Sequence, residues 1–184
     1  MIPLLCAATV KPSIKIVNGI KKSVEYTALF GVKLLTTMRL KFNLGIIMQI
    51  TGRCHCGEVT YHAEVDETKV LNCHCTDCQV ISSGPFRTVV LSKANAITFT
   101  ASQPKEYIKV ADSGNKRAQG FCGNCGTSLY ATSVGEGDKI YGLRIGAIEQ
   151  REQLIPKTQI WCRSSPAWLK ELNTITGFDT VPNG

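Results

Sequence analysis

Gly52-Arg-Cys-His-Cys-Gly-Glu-Val-Thr-Tyr-His-Ala-Glu-Val65 sets a Cys-x-Cys-Gly turn directly ahead of an alternating run. Val59, Tyr61, Ala63 and Val65 are apolar and the residues between them mostly polar, which is the period of a strand with one buried face. Outward from this stretch the same rhythm recurs, broken by Gly, Asn, Asp and Pro. It predicts strands at 87–91, 96–100, 105–110, 117–121, 127–132 and 139–146. The clearest helix signal is Ser165-Pro166 ahead of Ala-Trp-Leu-Lys-Glu-Leu, where Ser can cap and Pro suits the first helical position. The expected fold is mainly β and antiparallel with little helix, running from about residue 48 to the end. At 184 residues the chain has room for one ordinary core plus an appendage.

Nine cysteines admit either a disulfide scaffold or metal sites, and spacing decides between them. Seven fall in three clusters: Cys54-His55-Cys56-Gly57, Cys73-His74-Cys75-Thr76-Asp77-Cys78 and Cys122-Gly123-Asn124-Cys125-Gly126. Cysteines two apart are poorly placed to join distant parts of a chain, but they converge thiolates on one point. Zinc takes four ligands in a closed structural site and leaves a position open in a catalytic one. The first and third clusters match, because each ends in a glycine that permits a tight turn. Cys54, Cys56, Cys122 and Cys125 are therefore assigned to one closed zinc site. Cys73, Cys75 and Cys78 are left as a second site with an unfilled fourth position, giving two zinc ions per chain.

Competing readings fit these residues less well. Iron–sulfur ligation lacks the usual ferredoxin spacing, and a thioredoxin-like role for Cys122 and Cys125 lacks a βαβ setting. Cys6 and Cys162 read as buried apolar thiols. His55 and His74 sit between ligands and have two readings: zinc ligands themselves, or outer-shell or solvent-facing residues whose side chains point away, with His74 beside Asp77 as a candidate proton donor. Asp77 has two readings: it orients a ligand or moves a proton, or it caps the short turn around Cys78. The loop Ser82-Ser83-Gly84-Pro85-Phe86 reads as a pocket lining, with Ser83, Gly84 and Phe86 as substrate contacts, or as a tight turn.

The net charge of +7 is unevenly spread. Residues 1–47 carry Lys11, Lys15, Lys21, Lys22, Lys33, Arg39 and Lys41 against Glu25 alone, so the remaining 137 residues have a net charge of only +1. A near-neutral domain argues against a nucleic-acid surface. No apolar run approaches the roughly 20 residues of a membrane span, so a membrane partner is not expected. Residues 1–47 read as a dispensable extension or a stretch upstream of the true start at Met48. A presequence is the competing reading, weakened by Lys in place of Arg. Reduced thiols imply a cytoplasmic or otherwise reducing compartment.

The chain resembles the GFA family, named for the glutathione-dependent formaldehyde-activating enzyme and including centromere protein V. The resemblance rests on Gly52–Tyr61, on Asn72-Cys-His-Cys-Thr-Asp-Cys78, on Ser83-Gly84-Pro85-Phe86, on Phe121-Cys-Gly-Asn-Cys-Gly-Thr127, and on a tail with Trp168, Phe178 and Pro182. It covers residues 48–184. It implies a β-tent fold of stacked antiparallel sheets with zinc knuckles, with the four-thiolate site structural and the three-thiolate site used for chemistry. The implied activity is that of a carbon–sulfur lyase, like S-(hydroxymethyl)glutathione synthase. Such an enzyme adds a small-molecule thiol, glutathione or a similar one, reversibly to formaldehyde. Gln79 stands where many relatives have Arg, and Gln159 where His is frequent, which bears on the choice of substrate. The alternative is a non-catalytic zinc-stabilised module that recognises protein or nucleic acid. Oligomeric state is not legible.

Overall fold

The structure, a computed structural model, describes residues 47–111 and 113–182. The extension expected over 1–47 lies outside the described residues apart from Ile47, which opens the first strand. Eight strands follow in chain order: β1 (Ile47–Arg53), β2 (Thr60–Cys73), β3 (Arg87–Phe99), β4 (Lys105–Val110), β5 (Lys116–Phe121), β6 (Ser128–Ser133), β7 (Gly142–Arg144) and β8 (Thr158–Ile160). One short helix, α1 (Thr76–Ser82), leaves the end of β2.

The mainly β, antiparallel expectation holds. Hydrogen bonds run in the order β1-β2-β3-β7-β6-β5-β4, and β8 joins β2 in parallel. The alternation read at Val59–Val65 is real: Tyr61, Ala63 and Val65 are buried on β2 while His62 is exposed. Ile50, Val70, Val90, Leu129, Leu143 and Ile148 complete the centre of the core. Removing such side chains from water is the main driving force for folding, at roughly 1.5–3 kcal/mol each.

Where sequence and structure differ, the reasons are physical. The runs at 87–91 and 96–100 belong to one long strand, β3, whose register against β2 shifts between Ala63 and Val65 and again before Val70. Such irregularities bend a strand while keeping it in the ladder. The run at 139–146 keeps only Gly142–Arg144 in the sheet before a 3₁₀ turn at Ile145–Ala147. β1 and β8 have too little alternation to be seen locally. The helix read after Ser165 forms as a 3₁₀ helix over Ala167–Thr174, with Pro166 at its N-cap and no side-chain capping bond from Ser165. Helix α1, in contrast, has no sequence period at seven residues and is stabilised by its caps. The Cys78 N–H donates to Cys75 Sγ at 3.4 Å, and Ser83 ends the helix in the left-handed region at φ 52°.

Candidate metal centres and active site

Two thiol-bearing turns are built alike. The Cys54 N–H donates to Val59 O at 2.9 Å and the Cys122 N–H to Thr127 O at 2.9 Å. Inside each turn the glycine N–H closes back, Gly57 onto Cys54 O at 3.1 Å and Gly126 onto Cys122 O at 3.0 Å. Both glycines hold positive φ, 80° and 75°, where a side chain is strained. These turns bring Cys54, Cys56, Cys122 and Cys125 together, all four sulfurs within 4.8 Å of one another. Neighbouring sulfurs stand at 3.5 Å (Cys54–Cys56) and 3.7 Å (Cys56–Cys122). Cys54 and Cys122 are 1% and 0% exposed, whereas Cys56 and Cys125 face solvent. The quartet joins the β1–β2 connection to the β5–β6 connection, so the strand path curls until its two flanks share one site.

The second cluster gathers at the end of β2. Cys73 closes the strand, Cys75 caps α1, and Cys78 lies in its first turn. These three sulfurs also lie within 4.8 Å of one another, with Cys73 and Cys75 at 3.6 Å. They border a cavity of about 640 Å³ whose wall continues along Arg87, Val89 and Leu91 of β3, Gln119 of β5 and Arg144 of β7. Among the described cysteines none forms a disulfide, and Cys162, expected to be buried, is exposed because it sits in a surface 3₁₀ turn, Cys162–Ser164, while Cys6 lies outside the described residues.

Acidity in both clusters shows what crowded thiols require. Interaction with the Cys78 thiol, chiefly, pulls Cys73 down to about 5, while Cys78 is pushed far up by Cys73 and by burial. Cys125 falls to about 5 through the Thr127 hydroxyl, 3.1 Å away, and through backbone N–H groups. Cys56 rises to about 11 despite the Glu58 N–H, because Cys54 and the other sulfurs of the quartet oppose its charge. Adjacent sulfurs cannot all ionise without a cation among them. Soft thiolate donors at this separation suit zinc or a similar metal, so both clusters fit a metal ion.

His55 is exposed, with only its N–H tied, to Thr127 Oγ1 at 3.0 Å. His74 is buried against the Phe86 ring at 5.4 Å between centroids. Its Nε2 pairs with Gln159 Oε1 at 2.8 Å, and its Nδ1 meets no partner. Gln79 Nε2 donates to His74 O at 2.7 Å and to Ser164 O at 2.8 Å. Gln79 and Gln159 thus both hold the segment around His74. Asp77 pairs with Lys109 Nζ across the rim of the cavity, and capping of the turn falls to the Cys75 sulfur. Ser83 and Phe86 border a neighbouring cavity of about 480 Å³ with Ser128 and Ile145, and Gly84 lines neither of these two cavities.

Arg87 and Arg144 border both cavities, and no sequence reasoning singled them out. They are 5% and 8% exposed. One acceptor serves both: Arg87 Nη1 donates to Gln119 Oε1 at 3.3 Å and Arg144 Nη2 to the same oxygen at 2.8 Å. Burial, with the neighbouring Arg87 charge, lowers Arg144 to about 9, which leaves it cationic at neutral pH. The available signal was strand parity, since Arg87 shares its phase with Val89 and Leu91.

Fold and sites together define a mainly antiparallel β protein with two cysteine clusters able to hold metal ions, one of them set in a cavity wall. The chain belongs to the GFA family, glutathione-dependent formaldehyde-activating enzyme, whose model matches residues 49–164. It is similar to an uncharacterized lyase of Schizosaccharomyces pombe, with 29% identity over 79 residues, or 43% of this chain. The match spans about half, 54%, of that relative's length. A Rhodobacter sphaeroides protein of known crystal structure is also similar, at 16% identity and a TM-score of 0.46, over 59% of this chain and 98% of that one.

Proposed function

We propose that the protein is a carbon–sulfur lyase that adds a thiol, glutathione or a close analogue, reversibly to formaldehyde to give an S-hydroxymethyl thiol. The observation that carries this reading is the convergence of three thiols, rather than four, at the wall of a 640 Å³ cavity. Cys73, Cys75 and Cys78 would hold a zinc ion there, and Cys54, Cys56, Cys122 and Cys125 a structural one. Zinc in a three-thiolate setting supplies a means of keeping a substrate thiol ionised at neutral pH.

In the forward direction the substrate sulfur forms a bond to the formaldehyde carbon as the carbonyl π pair moves to oxygen. The proton that leaves sulfur must arrive on that oxygen. Asp77 is the carrier in this reading, because its carboxylate borders the cavity and is steadied by Lys109. His74 lies buried between Gln159 and Phe86 and serves to hold the loop. Apolar Leu71, Val89 and Leu91 form one part of the cavity wall, beside the charged part. The free thiols suit a reducing compartment such as the cytoplasm. Among the described residues no helix is long and apolar enough to cross a membrane.

Exchange of formaldehyde with glutathione, followed by NMR on zinc-loaded protein, tests the proposal. The expected result is acceleration that Cys75→Ser abolishes while the chain stays folded. No acceleration with both metals present removes glutathione from the proposal, and none with any simple thiol removes the reaction.

A further inference from the structure

We propose that Arg87 and Arg144 form a clamp for a carboxylate carried by the substrate, so that the cavity selects acid-bearing thiols over neutral ones. This rests on the reading of the cavity as a thiol-binding site and adds a second point of attachment to it.

Both arginines are more than nine-tenths buried, and among the described residues no carboxylate meets them. The ion pairs among the described residues are Arg53–Glu149, Lys69–Asp66, Lys109–Asp77 and Arg151–Glu152. A buried charge costs several kcal/mol when it lacks a partner, and two like charges sharing one amide oxygen cost more. Gln119 satisfies one donor of each arginine. Arg87 Nη2 and Arg144 Nε are left buried with no hydrogen-bond partner.

The nearby thiols do not discharge the pair. Three thiolates around a divalent ion carry one net negative charge, against two guanidinium charges. Among the described residues the rest of the lining adds cations, Lys109, Arg117 and Arg163, and a single acid, Asp77, which Lys109 already engages. Among the described residues, one guanidinium charge and two donors therefore lack an anionic partner. A carboxylate presents two oxygens to those two donors, and the arginine fork suits its planar geometry. The same pair faces the second cavity, so an acid bound between the arginines leaves the space beside Cys73, Cys75 and Cys78 free for its sulfur.

The test compares 3-mercaptopropionate with the neutral isostere 3-mercaptopropanamide, and the S-methyl derivative of each, by calorimetry on the metal-loaded full chain. Charge-assisted hydrogen bonds predict that each acid binds about tenfold or more tightly than its amide. Arg87→Gln and Arg144→Gln should each bring that ratio toward one while leaving the amide affinities unchanged. Equal binding of acid and amide to the unaltered chain overturns the proposal, as does a preference that survives both substitutions. Equal weakening of acid and amide also overturns it, since the arginines then only balance the thiols. Should either variant fail to fold, competition decides on the unaltered chain: propionate should displace 3-mercaptopropionate several-fold better than propanamide does, and equal displacement by the two overturns the clamp. Failure of the lyase reading has a different signature. In that case the S-methyl acid keeps its preference over its amide while no thiol adds to formaldehyde.

Discussion

Removing the far half of the four-thiol site should cost far more stability than removing two thiols from the other cluster. The reason is topological. Cys56 and Cys122, 3.7 Å apart at sulfur, are 66 residues apart in sequence, whereas the cluster from Cys73 to Cys78 closes only a six-residue loop. Treating a bound metal as a cross-link, the chain-entropy relation gives about 4 kcal/mol for the long loop and about 2 kcal/mol for the short one. Cys122 is also wholly buried, so a serine there hides a hydroxyl at a further cost of about 1 kcal/mol. The double variant Cys122→Ser with Cys125→Ser should therefore lose about 5 kcal/mol, a large part of a typical domain's stability. Its melting temperature should fall by about 15 °C. Cys75→Ser with Cys78→Ser should lose about 2 kcal/mol. Guanidinium unfolding of metal-loaded protein, with the slope checked for constancy, measures both. Equal losses in the two doubles, or a loss below about 2 kcal/mol in the first, would refute the view that the quartet holds the curled sheet together.

Metal analysis of purified protein should find about two ions per chain, falling to about one in either double variant; a single ion in the unaltered chain contradicts the four-plus-three division. Gly52 lies opposite Tyr61 in the β1–β2 ladder, where a Cβ would overlap the Tyr61 ring. Gly52→Ala should accordingly cost about 1–3 kcal/mol in chemical unfolding, and an unchanged midpoint would mean that the ring moves aside freely. Burial raises the Tyr61 phenol above its ordinary value of about 10, and its hydroxyl meets no partner. The folded pKa lies above the unfolded one, so this contribution is whole below pH 10 and is lost as pH climbs through and beyond it. Melting temperature should decline above pH 10 in the unaltered chain and decline less in Tyr61→Phe; parallel curves exclude Tyr61 as the cause.

Much of this was legible in sequence because it depends on neighbours along the chain. Cys-x-Cys-Gly at 54–57 and Cys-x-x-Cys-Gly at 122–126 declare their turns, since only glycine accepts the positive φ after the second thiol without strain. The alternation from Val59 to Val65 declares a half-buried strand. Helix α1 was hidden because a sulfur and a left-handed serine end it, and neither is a usual cap. Of the loop read as a pocket lining, Ser83 and Phe86 border the neighbouring cavity rather than the one bordered by the three thiols.

By itself the sequence determined which cysteines cluster, how they divide into four and three, and that antiparallel strands carry them, because spacing and period are local properties. Only the tertiary structure decided what surrounds the three thiols. Arg87 and Arg144 lie 57 positions apart, on strands brought side by side by pairing of Val89 with Arg144, and Gln119 reaches both from a third strand. Strand order is set by packing of the whole core, and no short-range pattern encodes which charged side chains it will enclose together.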